Sequence, residues 1–137
     1  MVTGVKMSEK CSLEECLRVY GDFIAYAIYI VNKYPSSGPA ILRTLAMNPE
    51  PLYTRQLLGL TGHWYKAGRV KADTEATLRF LEEHELIRRW EEECTIPSRK
   101  KPGLKVKTKC KYNQITEKGR KVYQVIALIE KLGLIEI

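Results

Sequence analysis

Amide side chains are scarce in this chain. Asn and Gln together number six in 137 residues: Asn32, Asn48, Gln56, Asn113, Gln114 and Gln124. Histidine is scarcer, with His63 and His84 alone, and none of the four cysteines (Cys11, Cys16, Cys94, Cys110) forms a C-x-x-C pair. A zinc site needs closer Cys and His ligands, so this spacing argues against a metal. The chain also lacks a P-loop, a G-x-S-x-G, an H-E-x-x-H and a workable Cys–His pairing. No enzyme motif remains, and no cofactor is implied. The longest apolar run, residues 23–31, falls short of the roughly 20 residues that span a bilayer. Asp22 and Asn32-Lys33 flank it as they would a helix of a soluble protein. Residues 1–10 hold no apolar run of the secretory kind. The expected location is therefore the cytoplasm, with no membrane partner. Few amides beside many Glu and Lys is a composition seen in hyperthermophile proteins, whose cytosolic members hold disulfides.

Acids are missing where bases are dense. Residues 99–121 carry ten Lys or Arg and one acid, Glu117, a local net charge of +9. The whole chain is +7, so everything else sums to −2. The basicity is one patch. Four of the ten alternate with less polar residues from Leu104 through Lys105, Lys107, Lys109 and Lys111 to Tyr112, and a period of two predicts a strand. One face is expected to point a row of ammonium groups outward while the other faces a core. Such a row suits a polyanion backbone better than a small substrate.

The length predicts one domain, and the elements read as mainly α with a small β-hairpin, an α+β fold. Ser12 and Glu15 form a capping box that opens a helix over 12–34. Its stripe runs Leu13, Leu17, Tyr20, Ile24, Ile28 and Val31, yet Phe23, Tyr26, Tyr29 and Ile30 make a second apolar surface. Two apolar sides need two partners, either a second subunit or the chain's own core. Pro35-Ser36-Ser37-Gly38 reads as a loop, Pro39 as the first turn of the next helix, and Asn48-Pro49-Glu50-Pro51 as its end. Thr54 caps a short helix ended by Thr61-Gly62. A connector with His63, Trp64, Tyr65, Lys66, Arg69 and Lys71 leads to a fourth helix, capped by Asp73 or Thr74 and running to about residue 85. Trp64 and Tyr65 read as core anchors in preference to nucleic-acid contacts.

A hairpin follows over 87–115, with its tip at residues 97–103, where Pro102-Gly103 is a strong turn signal. A tip centred near Pro102 sets Cys94 and Cys110 close to opposite each other, within reach of a cross-strand disulfide. Buried or idle thiols are the alternative. Glu91, Glu92 and Glu93 lie across from the lysine row, where Glu–Lys pairs would help hold the ribbon. They cannot absorb Arg99, Lys100 and Lys101 at the tip. Thr116 caps the last helix, 117–132, and Gly133 ends it. Val125, Leu128 and Leu132 give it a second apolar face beside Val122, Ile126 and Ile129. Phe23, Tyr26, Tyr29, Ile30, Val125, Leu128 and Leu132 are thus the expected dimer interface.

Residues 39–116 read as a winged helix-turn-helix with the wing at 87–115, flanked by dimerising helices at 12–34 and 117–132. Here the chain resembles the MarR-type and PadR-type winged-helix regulators, particularly small archaeal ones. The resemblance rests on residues 74–89, which look like their recognition helix and the start of the wing. It rests also on Ile115-Thr116-Glu117-Lys118-Gly119-Arg120, which resembles their wing exit, and on the long terminal helices. The chain departs from the pattern in three ways. The connector 63–72 is longer than the usual turn of about 3–4 residues, Glu85 stands where glycine often precedes Leu-Ile, and the fourth helix carries Glu75, Glu82, Glu83 and Glu85.

The resemblance implies a homodimer on double-stranded DNA. Lys71, Thr74, Thr77 and Arg79 would enter the major groove. Arg99, Lys100 and Lys101 would lie at the minor groove, with Lys105 and Lys107 behind them. Arg55, Lys66 and Arg69 would touch phosphates. The alternative is a winged-helix module for chromatin, replication or protein contact that binds DNA without sequence choice. Nothing in the sequence identifies a small-molecule effector.

Overall fold

The computed structural model describes residues 21–62, 72–98 and 100–133. Within them the chain is α+β, with five helices and a three-stranded antiparallel sheet. The Ser12–Glu15 capping box, the first part of the helix expected over 12–34, Cys11, Cys16, the connector residues His63, Trp64, Tyr65, Lys66, Arg69 and Lys71, and Arg99 lie outside the described residues.

Helix α1 (Asp22–Lys33) follows Gly21, whose φ of 80° suits glycine and is not helical, so the unbroken helix expected over 12–34 is corrected: it is interrupted at residue 21. It buries Ala25, Tyr26, Ala27, Ile28, Ile30 and Val31, so most of its circumference is apolar and covered. Helix α2 (Ser37–Met47) begins two residues before Pro39. The expected loop stops short there because Gly38 lies directly against Ile30; a Cβ at 38 would collide with the Ile30 Cγ2 methyl. Ser37 is buried, and its hydroxyl bonds the Thr77 hydroxyl at 2.6 Å.

Strand β1 (Leu52–Tyr53) and helix α3 (Thr54–Thr61) follow Pro51. Tyr53, not Thr54, is the N-cap of α3. The Thr54 hydroxyl is drawn away to the sheet, where it donates to the Lys111 carbonyl at 3.2 Å. Gly62 closes α3 in the left-handed conformation.

Helix α4 (Ala72–Glu83) ends two residues earlier than its acidic run suggests. The Leu86 N–H donates to the Leu81 carbonyl and the Glu85 N–H to that of Glu82, a Schellman closure with Glu85 at φ 60°. Leu81 and Leu86 are both buried, supplying the hydrophobic contact such an ending uses.

Strands β2 (Ile87–Pro97) and β3 (Lys105–Ile115) form the hairpin, and the sheet order is β1-β3-β2. Helix α5 (Glu117–Lys131) is capped by Thr116, whose hydroxyl accepts from the Gly119 N–H at 2.9 Å and donates to the Glu85 carbonyl at 2.6 Å. A Cβ at 119 would strike the Leu86 carbonyl, so the Thr-x-x-Gly spacing joins a cap to a close backbone approach. The core lies between the five helices and one face of the sheet, with Ile30, Leu42, Leu57, Leu81, Ile87 and Val122 at its centre. Among the described residues no helix is long and apolar enough to cross a membrane.

Candidate nucleic-acid interface

The hairpin register pairs Ile87 with Ile115 at the base and Pro97 with Lys105 at the far end. Because successive strand residues alternate in face, Lys105, Lys107, Lys109 and Lys111 share a side with Asn113 and Ile115. That side covers the core, since Leu52, Ile87, Asn113 and Ile115 are all buried. The expected arrangement is therefore reversed: the lysines lie on the helix-facing side, and Val106, Cys110 and Tyr112 make the outer one. The lysines stay in solvent because the hairpin outruns the helices that cover its base.

Register also divides the row. Glu91 stands opposite Lys111 and Glu93 opposite Lys109, whereas Lys107 faces Thr95 and Lys105 faces Pro97. Glu92 stands opposite Cys110, on the other side. Lys105 and Lys107 thus have no carboxylate directly across, and they join the tip charges. There the Ser98 hydroxyl accepts from the backbone N–H groups of Lys100 and Lys101, both at 3.2 Å. Ser98 N–H donates to the Leu104 carbonyl at 2.7 Å, and Gly103 turns at φ 84°. The backbone is tied down while the Lys100 and Lys101 side chains remain exposed.

Helix α4 flanks the same side. Thr54, Glu75, Leu78, Arg79, Glu82, Arg89 and Lys111 line a cleft of about 380 Å³ between α3, α4 and the hairpin. Arg79 is exposed and Arg55 half-buried. Thr74 and Thr77 are corrected. Both are fully buried, turned inward because the apolar stripe through Leu78 and Leu81 fixes the helix rotation. Thr77 donates to the Asp73 carbonyl at 2.9 Å, and the Thr74 hydroxyl finds no partner among the described residues. Neither can reach a base. The expected cap at Asp73 or Thr74 is corrected: the helix already begins at Ala72, so both lie inside its first turn, where the Asp73 carboxylate accepts from the Thr74 N–H at 3.0 Å. The exposed surface of α4 is acidic, with Asp73, Glu75 and Glu83 around Arg79.

The residues sequence reasoning missed are the ones that hold this side together. Asn113, fully buried, donates to the Leu52 carbonyl at 3.0 Å and the Thr54 hydroxyl at 3.1 Å. It accepts from Arg89 Nε at 2.7 Å, and Arg89 Nη2 reaches the Thr54 hydroxyl at 3.1 Å. One amide thereby joins β1, β2, β3 and α3. Burial lowers the Arg89 pKa from its ordinary value, opposed by Glu82 and Glu75, and a guanidinium stays charged through such a shift. The available signal was composition: an amide inside a strand of a chain so poor in amides.

Cys94 and Cys110 are joined by a disulfide, with Cα atoms 5.8 Å apart. The two are diagonal neighbours rather than an opposed pair, because the hairpin centres at residue 101 and not 102. Among the described residues no cluster of His, Cys, Asp and Glu is suited to hold a metal ion.

The expected dimer residues separate into two groups. Tyr26 and Ile30 are buried in their own chain, a correction that follows from α1 packing on α4 and α5 at once. Tyr29 and Val125 are half-buried against the same core, Tyr29 stacking on Phe80 at 5.1 Å. Phe23, Leu128 and Leu132 remain exposed, as does Ile24. No family model, no curated protein and no solved structure matches this chain.

Proposed function

We propose that this protein is a winged helix-turn-helix regulator that binds double-stranded DNA as a homodimer, with the basic hairpin as its main contact. The observation that carries the reading is the set of exposed cations at and behind the tip. Lys100, Lys101, Lys105 and Lys107 project from a backbone-ordered ribbon on the side shared with Arg79, and no carboxylate lies directly opposite Lys105 or Lys107. The order α2, β1, α3, α4, β2, β3 supports a winged helix, with α4 in the recognition position and the hairpin as wing. Two such units on a two-fold axis would meet half-sites about one helical turn apart. Arg99 extends the same basic series in the sequence, and Lys66, Arg69 and Lys71 add cations in the connector.

The burial of Thr74 and Thr77 beside an acidic helix surface favours a second reading, an architectural binder that grips phosphates without choosing bases. Titration of duplex DNA at several salt concentrations tests both. Replacing Lys100, Lys101, Lys105 and Lys107 with Ala should weaken duplex binding and reduce the slope of log K against log salt by about 0.9 for each phosphate no longer neutralised. An unchanged slope sinks the wing. A regulator should prefer a selected palindrome over random duplex by at least about 10³, and equal affinity selects the architectural reading.

A further inference from the structure

The outer face of the sheet carries a row of rings that duplex binding leaves unused. Tyr53 on β1, Tyr112 on β3 and Trp90 on β2 stand side by side across the three strands. Ring centroids are 6.2 Å apart for Tyr53–Tyr112 and 6.0 Å for Trp90–Tyr112. The register places Tyr53 opposite Tyr112 and Tyr112 opposite Trp90, so all three share the side away from the helices. All three are half-exposed. Arg88, itself exposed, lies over the Trp90 ring at 5.4 Å, which marks that ring's open face as one that takes a planar group. Cross-strand ring pairs contribute roughly 0.2–1 kcal/mol each to a sheet. That accounts for their pairing; the rings stay half-exposed, and the guanidinium over Trp90 is an exposed group that another planar group can displace.

We infer that this aromatic row is a stacking platform for the bases of an unpaired nucleic-acid strand. A half-wet row of rings on an antiparallel sheet offers π-faces to unstacked bases, and positive charge beside it tracks the backbone. The charge is here. Arg88 stands at the β2 end of the row, Arg55 follows Tyr53 by two residues, and the lysine series runs along the reverse side of the same hairpin. On binding, a base takes the Arg88 place over Trp90 and the guanidinium turns to a phosphate. Glu92, which accepts the Trp90 indole N–H at 2.9 Å, closes the tip side of the row to phosphates and directs the strand toward Arg88. Bases inside a duplex are stacked on one another and cannot use the row, so the platform selects single strands or locally opened sites. It deepens the proposed DNA binding by giving the hairpin two working sides: lysines for duplex phosphates, rings for unpaired bases.

The test compares an oligodeoxythymidylate of about 12 nucleotides, within the usual site sizes, with a fully paired duplex. Trp90→Ala combined with Tyr112→Ala should lower single-strand affinity by about 10- to 100-fold, the loss expected from one or two stacked bases. Duplex affinity should stay within about twofold. Trp90→Phe, which keeps a ring, should retain most of the single-strand affinity. Since the chain holds two tryptophans, Trp64→Phe leaves Trp90 as the sole indole, and its emission should be quenched on titration with the oligonucleotide. The quenching reports on the platform even where the double alanine variant fails to fold. Unquenched Trp90 emission at saturating oligonucleotide, or equal losses for single strand and duplex in the folded alanine variant, overturns the platform. The lysine substitutions separate this claim from the duplex reading. If they leave duplex binding unchanged while the ring variants abolish single-strand binding, the wing assignment fails and the platform stands. Duplex binding with no single-strand binding is the converse.

Discussion

Glu85 sits at φ 60° in the left-handed region, as the Schellman ending of α4 requires. A residue with a side chain adopts that region at a cost of roughly 1–2 kcal/mol. Glu85→Gly should therefore raise the unfolding free energy by about 1 kcal/mol, read as a higher urea midpoint; an unchanged or lower midpoint would mean the side chain has compensating contacts. His84 makes a pH prediction. Its Nδ1 lies 3.3 Å from the Tyr26 hydroxyl, and its ring centroid lies 4.4 Å from that of Phe80. Lys118 caps the Tyr26 ring at 4.5 Å. Burial first, then Lys118, holds the His84 pKa below its ordinary 6.5, with Glu83 opposing. The unfolded chain thus takes up this proton before the folded one does. The contribution of neutral His84 to stability is intact above about pH 6.5 and is lost as the pH falls from there through the folded pKa. Unfolding free energy measured at successive pH values should fall over this window in the natural protein and fall less in His84→Gln.

The hairpin is the element whose strength decides whether the basic tip is presented at all. Its disulfide closes a stretch with a sequence separation of 16. In the chain-entropy account a loop of about 15 residues is worth about 3 kcal/mol. Reduction, or Cys94→Ser with Cys110→Ser, should lower the unfolding free energy by roughly that amount, with an equal midpoint in both redox states as the result that dismisses it. The hairpin was legible in the sequence because the Lys alternation, the Pro-Gly turn and the Thr116 cap are local signals. Register was not, since moving the turn centre from 102 to 101 changes no local preference and still decides which residues face each other. Strand β1 was invisible for a related reason. Two residues after Pro51 are too short to carry a period, and Leu52–Tyr53 is a strand only because β3 pairs with it.

At the scale of the molecule, α1 and α5 pack on each other and leave Phe23, Ile24, Leu128 and Leu132 to solvent, and Lys121 lies over the Phe23 ring at 5.4 Å. If this face joins two copies, the natural protein sediments as a dimer at micromolar concentration and Leu128→Glu with Leu132→Glu sediments as a monomer; a monomeric natural protein removes the two-fold geometry from the DNA model. The amino-acid sequence by itself determined the helix and hairpin order, the Thr116 and Gly133 boundaries, and the concentration of charge at 99–121. Each of these follows from local periodicity, capping and Coulomb summation, which need no knowledge of neighbours. Only the tertiary structure decided which side of each element met the core. It turned Thr74 and Thr77 inward, drew Tyr26 and Ile30 into their own chain, and placed the lysine row on the helix side with the rings outside. Facing is settled by the best joint packing of all the apolar stripes at once, and no single stripe contains that information.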